Sequence, residues 1–286
     1  MTILITGAFG QLGFSLYKIL KMNSDYNVIR TGREIPKNNT GINLDIRNSI
    51  QIKEVLQSTQ PDIIINLAAM TNVDSCEKYP QLASEINVAG VYNLCKAFRG
   101  KIIHMSTDYV FDGTKGPYLE SDGTRPLSVY GKTKLASERI IMDCNSDNIV
   151  IRGNVLYDDS LHTKASFLNW VINSLREGKT INVVKDQYCN PTWTKSMADI
   201  IKLLISSNLI GIYHWADADY VNRFELSKKI AEKYELPSKL INPILTSELN
   251  QIAPRPLKSG LVNDKIVKIF KVNPPTINYC LDKIVN

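Results

Sequence analysis

The opening segment constrains the fold more than any other part of this 286-residue chain. Residues 1–6 form an apolar, β-branched run, which is typical of a buried parallel strand. Glycines follow at Gly7, Gly10 and Gly13, and an amphipathic helix is predicted from Phe14 to Lys21. This order indicates a dinucleotide-binding turn, because glycines let the backbone approach a pyrophosphate and a helix N-terminus offers unpaired N–H groups. The spacing is G-x-x-G-x-x-G rather than G-x-G-x-x-G, so an ordinary glycine-rich turn is the alternative.

The second predicted strand, from Tyr26 to Thr31, bears on the choice of cofactor. Arg30 and Arg33 lie at its end, and Glu34 follows them. In such folds an acidic residue about twenty positions beyond the glycines binds the ribose 2′-OH of NAD, whereas arginine suits the 2′-phosphate of NADP. The two arginines therefore favour NADPH, and Glu34 keeps NADH open. The alternative is that both arginines are solvated charges in a turn.

Strand-like and helix-like patterns alternate through the first half of the chain. Further strands are predicted at 42–45, 62–67, 101–105 and 149–152, and helices at 49–59, 81–99 and around Tyr130. The alternation predicts an α/β fold with a doubly wound, parallel, Rossmann-type sheet. Ligands in that fold collect at the carboxyl ends of the strands. Six residues fall at such ends: Gly7, Thr31, Asp45, Ala68, Thr107 and Asn154.

The second half is less regular and richer in proline. Helices are predicted at 164–177, 196–206 and 224–234, and strands at 180–184 and 212–215. A smaller C-terminal lobe interleaved with the last sheet strands fits this pattern better than an independent domain. We expect residues 1–157 to form the nucleotide-binding domain, with contributions from about 180–215, and residues 158–286 to form mainly a discontinuous substrate-binding lobe.

Composition argues against several other classes of protein. The net charge of +6 is spread along the chain, without the basic stripe interleaved with aromatic residues that nucleic-acid binding needs. No apolar run approaches the roughly twenty residues that span a bilayer. Five scattered cysteines and three histidines show no ligand spacing, so neither a disulfide framework nor a zinc site is expected, and the use of another metal ion is left open. The strand-like N-terminus leaves no room for a cleaved signal, and a cytoplasmic location is expected.

A hydroxyl, a phenol and a lysine follow the strand at 101–105. Thr107 comes just after it, and Tyr130 and Lys134 lie four positions apart on a predicted helix. Positions i and i+4 share one face of a helix, so Lys134 is expected beneath Tyr130. Its charge there would favour the phenolate and make Tyr130 a usable proton donor and acceptor. Such pairs also occur on solvated helices, so this one gains its weight from Thr107 and the glycine turn.

Several segments spread along the chain carry a resemblance to a known family. They are Asn66-Leu-Ala-Ala-Met-Thr-Asn-Val-Asp74, Ser106 to Gly113, Asp186-Gln-Tyr-Cys-Asn-Pro-Thr192 and Arg255-Pro256. With the glycine triplet and the Tyr130/Lys134 pair, they resemble the extended short-chain dehydrogenases/reductases. Within these the chain is most similar to the branch that contains dTDP-4-dehydrorhamnose reductase. The S-T-D-Y-V-F-D-G and D-Q-x-x-x-P-T runs are specific to this branch.

The resemblance implies an oxidoreductase that uses NADPH to reduce a nucleotide-linked 4-keto-6-deoxy sugar in deoxysugar or surface-polysaccharide biosynthesis. Thr107 and Tyr130 would hydrogen-bond the C4 carbonyl oxygen, Tyr130 would protonate the developing alkoxide, and Lys134 would also hold the nicotinamide ribose. With the glycine turn and the second strand, the expected cofactor residues are Gly7, Phe9, Gly10, Gln11, Leu12, Gly13, Arg30, Arg33, Asp45, Ile46, Ala68, Ala69, Tyr130 and Lys134. The expected substrate residues are Thr71, Val73, Thr107, Asp108, Tyr109, Asn154, Val155, Gln187, Thr192 and Arg255, the last three on the diphosphate side.

The chain departs from this branch on the substrate side. Val155 stands where a tryptophan that packs on the sugar is usual, and Cys189-Asn190 stands where Gly-Ser is usual. The sugar and its nucleotide are therefore left open, while the cofactor and proton-transfer residues are intact.

Three other functions compete with the reductase. A dehydratase of the same superfamily would need a carboxylate pair after the active threonine, but Asp108 is followed by Tyr109. An epimerase that retains NAD(H) through each cycle stays open. So does a non-catalytic NADP-binding regulatory subunit, because the β subunit of methionine adenosyltransferase also resembles this branch. The assembly is open as well, a homodimer being one alternative.

Overall fold

The computed structural model describes residues 1–158 and 166–285. The strands in these ranges are β1 (Thr2–Thr6), β2 (Asn27–Gly32), β3 (Ile42–Asn43), β4 (Ile63–Asn66), β5 (Lys101–Thr107), β6 (Ile149–Gly153), β7 (Leu156–Tyr157), β8 (Ile181–Val184), β9 (Tyr188–Cys189), β10 (Thr192–Trp193), β11 (Gly211–Trp215), β12 (Val221–Asn222) and β13 (Ile241–Ile244). The α-helices are α1 (Gln11–Leu20), α2 (Ser49–Thr59), α3 (Val73–Lys78), α4 (Pro80–Ser84), α5 (Gly90–Ala97), α6 (Val129–Cys144), α7 (Phe167–Arg176), α8 (Thr194–Ile205), α9 (Arg223–Lys233), α10 (Asp264–Phe270) and α11 (Ile277–Val285).

Seven strands form one sheet in the order β11-β6-β5-β4-β1-β2-β3, and every pairing within it is parallel. Successive side chains of a strand point to opposite faces. In β1, Ile3 and Ile5 therefore pack with α1 and α8 on one face, while Leu4 packs with α2 and α5 on the other. Because helices cover both faces, the central strands read as unbroken apolar runs. The predicted doubly wound parallel sheet is confirmed.

The C-terminal half contributes both to the sheet and to a smaller lobe. β11 pairs with β6 at one edge of the sheet, and α8 packs against α1. The stretch from about 180 to 215 does not enter the sheet throughout, however, because β8 pairs with β13 instead. Together with α7, α9 and α11, these two strands form a separate apolar core. The lobe is thus interleaved with the sheet, while the division of the chain at residue 157 stays a prediction.

The helices differ from the sequence predictions in three places. The helix expected at 81–99 is interrupted by a π-helical turn, Glu85–Ala89, which joins α4 to α5. The helix expected at 164–177 spans Phe167–Arg176, and Lys164 lies outside the residues that the structure describes. Helices α3, α10 and α11 have no counterpart among the predictions, and the last two lie in the proline-rich C-terminal region.

No helix within the described ranges is long and apolar enough to cross a membrane. All five cysteines are free thiols. Across the same ranges, His, Cys, Asp and Glu side chains form no group of three or more that could hold a metal ion.

Candidate active site

A cleft of about 620 Å³ runs along the carboxyl ends of β1, β2, β4, β5 and β6. Every predicted cofactor residue except Arg30 lines it. The predicted substrate residues that line it are Thr71, Val73, Thr107, Asp108, Tyr109, Asn154 and Val155. A second cavity of about 340 Å³ adjoins the cleft. Four residues line both: Val73, Tyr109, Val155 and Leu156.

The glycine turn is shaped by contacts that a larger residue would not fit. Gly7 has a φ of +66°, and a Cβ on it would lie 2.7 Å from the backbone nitrogen of Ala68. A Cβ on Gly13 would lie 2.5 Å from the carbonyl oxygen of Ala8. Helix α1 starts at this turn with Gly10 as its N-cap, and no side chain in the described ranges caps it. The turn therefore fits a dinucleotide, with bare backbone and helix N–H groups bordering the cleft.

The two arginines expected to bind a 2′-phosphate occupy different positions. Arg33 lines the cleft beside Glu34. Arg30 is only 7% exposed, and its guanidinium lies over the Tyr17 ring, 4.1 Å from the centroid. Its Nη1 donates to Asn39 Oδ1 at 3.1 Å, so this arginine fixes the neighbouring loop and does not line the cleft.

Asp45 lines the cleft as an ion-paired carboxylate. Arg47 Nη2 lies 2.5 Å from Asp45 Oδ2, and this hydrogen bond holds the pKa of Asp45 below its usual value. Ile46 lies beside it on the same wall. On the opposite side of the turn, the Gln11 amide donates to Asp158 Oδ1 at 3.0 Å, which ties α1 to the chain after β7.

The three predicted catalytic residues come together at the inner end of the cleft. Thr107 ends β5, and its Oγ1 donates to Asp108 Oδ1 at 3.0 Å. Tyr130 lies in the first turn of α6, whose N-cap, Ser128, accepts a hydrogen bond from the Gly131 backbone. Burial raises the pKa of Tyr130, and a hydrogen bond with Thr107 opposes that rise. Tyr130 is therefore a neutral phenol at physiological pH.

Lys134 is buried, and its ammonium group makes its contacts with β5. Nζ donates to the Met105 carbonyl at 2.7 Å and lies 3.1 Å from His104 Nε2. Burial lowers the pKa of Lys134 to about 8. The sequence predicted that this cation would favour the phenolate of Tyr130. The pKa of Tyr130 is instead raised, and desolvation of the phenol is the largest cause.

His104 supports Lys134 from inside the sheet. The ring is fully buried, with Asn66 Nδ2 2.9 Å from Nδ1 and Ser137 Oγ 3.0 Å from Nε2. Burial and the nearby charge of Lys134 hold the pKa of His104 well below its usual value. His104 is therefore neutral. The contact of His104 with Lys134 has no local signal in the sequence.

Two residues that line the cleft carry buried oxygens without a partner in the part of the chain that the structure describes. Asp108 Oδ2 and Asn154 Oδ1 have no hydrogen-bond partner within the described residues. Burial raises the pKa of Asp108 to about 6. Asn154 Nδ2 donates to the Ser259 carbonyl at 3.2 Å, which fixes the amide and leaves its oxygen as an acceptor.

The residues expected on the diphosphate side do not form one cluster. Gln187 and Arg255 line the second cavity, whereas Thr192 is fully buried and lines neither cavity. Arg255 forms a bidentate pair with Asp74, with both N–O distances at 2.8 Å.

Arg223 also lines the second cavity and was not among the predicted residues. It is the first residue of α9, directly after the Asn222 N-cap. The Asn-x-x-Glu capping box marks this helix start in the sequence, but nothing local indicates a cavity.

Comparison with known proteins agrees with this geometry. The family model described as RmlD substrate binding domain matches residues 1–286. dTDP-4-dehydrorhamnose reductase from Aggregatibacter actinomycetemcomitans is 32% identical over 287 residues, covering 95% of this chain and 94% of that protein. Methionine adenosyltransferase 2 subunit beta from Xenopus tropicalis is 34% identical over 277 residues, covering 93% and 81%.

Solved structures give the same assignment. The crystal structure of dTDP-4-dehydrorhamnose reductase from Bacillus anthracis, in complex with NADP, superposes with a TM-score of 0.90 at 30% identity, covering 99% of this chain and 98% of that one. The resemblance deduced from the sequence is confirmed: this chain belongs to the RmlD family, the dTDP-4-dehydrorhamnose reductase branch of the extended short-chain dehydrogenases/reductases.

Proposed function

We propose that this protein is an NADPH-preferring reductase of a nucleotide-linked 4-keto-6-deoxy sugar, acting in deoxysugar or surface-polysaccharide biosynthesis. One observation carries the proposal: Thr107, Tyr130 and Lys134 line the same cleft as the glycine turn at Gly7. A cleft that can hold a dinucleotide at one end and a proton donor at the other suits hydride transfer to a carbonyl. The NADP complex of the Bacillus anthracis relative supports a nicotinamide cofactor.

The proton-transfer side follows from the chain's own residues. A bound reduced nicotinamide would supply the hydride that attacks C4 of the sugar. Tyr130 hydrogen-bonds the carbonyl oxygen, and Thr107 does so once its hydroxyl turns from Asp108 Oδ1 to that oxygen. Both stabilise the charge that develops on the oxygen. Because burial keeps Tyr130 protonated, its phenol can donate a proton to that oxygen. Lys134, anchored on the Met105 carbonyl, orients the ribose beside Tyr130.

Substrate recognition rests on the buried acceptors and on Val155. Asp108 Oδ2 and Asn154 Oδ1 lack partners in the described part of the chain, so sugar hydroxyls would satisfy them. Val155 lines both the cleft and the second cavity, at the position where relatives in this branch usually carry tryptophan. A smaller side chain there leaves more room for the sugar or its nucleotide.

The preference for NADPH rests on Arg33. Its side chain is exposed at the mouth of the cleft, where a guanidinium can pair with a 2′-phosphate. Glu34 lines the same wall and keeps NADH a usable cofactor.

A non-catalytic role as a regulatory subunit is the second candidate. It is favoured by the 34% identity to subunit beta of methionine adenosyltransferase 2 over 93% of this chain. That relative and the reductases match this chain about equally well, so sequence similarity does not separate the two functions. An epimerase that keeps its nicotinamide bound is a third candidate.

Nicotinamide absorbance separates these functions. The protein would be mixed with NADPH and with 4-keto-6-deoxy sugars carried on dTDP, UDP, GDP and CDP. We expect stoichiometric NADPH oxidation with at least one of them, and an epimerase would instead convert the sugar without net oxidation. No oxidation with any of these substrates, together with a stable complex with a methionine adenosyltransferase, would exclude the reductase.

Location and assembly also stay predictions. Five free thiols are consistent with a reducing compartment, and we expect the protein in the cytoplasmic fraction of its cell. Light scattering at several concentrations measures whether it forms the homodimer named above.

A further inference from the structure

The second cavity meets the cleft beside Tyr109 and Val155, which line both. A ligand with its reacting end at Tyr130 would extend into the second cavity past the residues that line both. Two arginines line the second cavity, Arg223 and Arg255. They differ in whether their charge is already balanced.

Arg255 is already neutralised within the protein. Its Nη1 and Nη2 donate to the two carboxylate oxygens of Asp74, and Nη1 also donates to the Ala253 carbonyl at 2.7 Å. The Ala253 backbone N–H donates to Asp74 Oδ1 at 3.0 Å. Three of the five N–H groups of this guanidinium are used in these bonds, and an anion bound to the other two would lie close to the negative charge of Asp74.

Arg223 differs from Arg255 in this respect. Within residues 1–158 and 166–285, no carboxylate forms an ion pair with it. Its guanidinium lies over the Phe167 ring, 5.4 Å from the centroid. An arginine stacked in this way is held in one plane while its N–H groups remain able to bind a phosphate bidentately.

The charge of Arg223 also reaches the junction of the two cavities. Burial raises the pKa of both Asp108 and Tyr109. The positive charge of Arg223 opposes the rise at each, while that of Arg255 opposes it at Tyr109 alone. The junction therefore lies in the positive field of Arg223. A negatively charged diphosphate that joins a neutral sugar to a neutral nucleoside would be stabilised there.

We propose that Arg223 binds the diphosphate of a nucleoside diphosphate ligand whose nucleoside lies in the second cavity beside Phe167 and Trp170. The rings of these residues lie 5.6 Å apart, and Trp170 is 43% exposed, so an aromatic surface is available to a base. The assignment deepens the proposed reductase function, on which it rests for the position of the sugar. It replaces Arg255 as the phosphate-binding arginine.

Arg223→Gln is the central variant, because it removes the charge and the fork while keeping a polar side chain. Arg176→Gln is its matched control, since Arg176 is exposed at the end of α7 in the same lobe. Titration calorimetry would measure the Kd of dTDP, thymidine and NADPH, with UDP, GDP and CDP replacing dTDP if one of them binds the unmodified protein more tightly.

We expect Arg223→Gln to weaken nucleoside diphosphate binding about 10- to 100-fold, the range for losing hydrogen bonds to a charged group. Thymidine and NADPH binding should change by less than about 2-fold. Unchanged NADPH affinity also establishes that the variant is folded. Arg223→Lys, which keeps the charge but not the planar fork, should lie between the two. Arg176→Gln should match the unmodified protein.

The double variant Asp74→Asn/Arg255→Gln tests the rejected arginine without leaving a lone charge. We expect it to weaken nucleoside diphosphate binding by less than about 5-fold. Loss of binding there, with full binding by Arg223→Gln, would overturn the assignment in favour of Arg255.

The remaining outcomes separate this inference from the proposed reductase function. Equal affinity of Arg223→Gln and the unmodified protein for nucleoside diphosphates overturns the inference alone. If nucleoside diphosphate binding depends on Arg223 but no substrate causes NADPH oxidation, the inference is supported and the reductase function is excluded. An unmodified protein that binds none of the four nucleoside diphosphates overturns both.

Discussion

The cleft and the second cavity share a wall at Tyr109 and Val155 but are built in different ways. The cleft takes its walls from segments that follow β1, β2, β4, β5 and β6, each anchored by a buried strand of one sheet. The second cavity is assembled from α7, residues near β8, the first residue of α9 and residues 249–255. One sheet therefore fixes the cleft, whereas the second cavity depends on packing between distant parts of the chain.

The difference suggests a division of labour. A single sheet and a helix packed on it, such as α6 with Tyr130, can hold a proton donor within the small tolerance that catalysis needs. A cavity built from helices and loops can vary in shape without disturbing that geometry. We therefore expect changes in the cleft to affect turnover and stability strongly, and changes in the second cavity to affect mainly ligand binding.

The largest expected effect is on turnover. Tyr130→Phe removes the only atom of this side chain that can donate a proton, so kcat should fall by about 10²- to 10⁴-fold. The Kd of NADPH should change little, because the ring and its packing on Tyr109 are retained. Stopped-flow absorbance measures kcat, and fluorescence measures NADPH binding. A variant that keeps most of its activity would place the proton donor elsewhere.

The next effect is on stability, and it compares one ion pair from each region. Beneath the cleft, Arg152 Nη2 lies 2.7 Å from Glu138 Oε2, with both side chains almost fully buried. Arg152→Met leaves a buried carboxylate unpaired and should lower the free energy of unfolding by about 3–5 kcal/mol.

Arg255→Met, in the second cavity, should cost less, about 1 kcal/mol, because the side chain of Asp74 is 36% exposed and water can solvate it. Urea denaturation measures both values. Equal losses of unfolding free energy in the two variants would contradict the difference in burial between the two ion pairs.

A pH-dependent effect of intermediate size comes from Asp108. Burial raises the pKa of its carboxyl from 3.8 to about 6, so the ionised group destabilises the fold as pH rises from about 4 through 6. Asp108→Asn removes this dependence. The stability of the variant relative to the unmodified protein should rise by up to about 3 kcal/mol between pH 4 and pH 7. Thermal or urea unfolding at both pH values measures it, and a pH-independent difference would show that Asp108 is not desolvated.

The smallest effect separates the two arginines near β2. Arg33→Gln should weaken NADPH binding about 10-fold while leaving NADH binding unchanged, because only NADPH carries the 2′-phosphate. Arg30→Gln should leave the ratio of the two affinities unchanged and lower stability, because Arg30 stacks on Tyr17 and bonds Asn39. Calorimetric titration with each cofactor measures the ratio. A change in this ratio for Arg30→Gln and none for Arg33→Gln would identify Arg30 as the residue that binds the 2′-phosphate.

Much of the cleft could be predicted because its signals are local. Helix α2 spans the predicted residues 49–59, and the sequence marks its start with Asn48, whose side chain accepts from the Ile50 and Gln51 backbones. Thr107 lies at the end of a recognisable strand, and Tyr130 lies in the first turn of a recognisable helix. Where one local rule met a stronger tertiary effect, the prediction differed: burial is the largest influence on the pKa of Tyr130 and raises it, while the ammonium group of Lys134 contacts β5.

The second cavity could not be predicted in the same way. Arg255 carries a motif that suggested phosphate binding, but Asp74 balances its charge from the first turn of α3, which no local pattern connects with Arg255. Arg223 has only a capping box beside it, which predicts a helix start and nothing about a ligand. Helices α10 and α11 are short and lie among prolines, so the periodicity of apolar residues was too brief to predict them.

The pairing of β11 with β6 has a consequence for how the chain can be divided. A fragment that ends after residue 157 would keep the glycine turn, Tyr130 and Lys134 but lose β11. The unpaired N–H and C=O groups of β6 would then form an exposed, apolar edge, because Ile149, Val150 and Ile151 are fully buried in the intact protein. Such edges pair readily with other chains. The N-terminal half therefore needs β11 from the C-terminal half to stay monodisperse, and an isolated N-terminal fragment should aggregate.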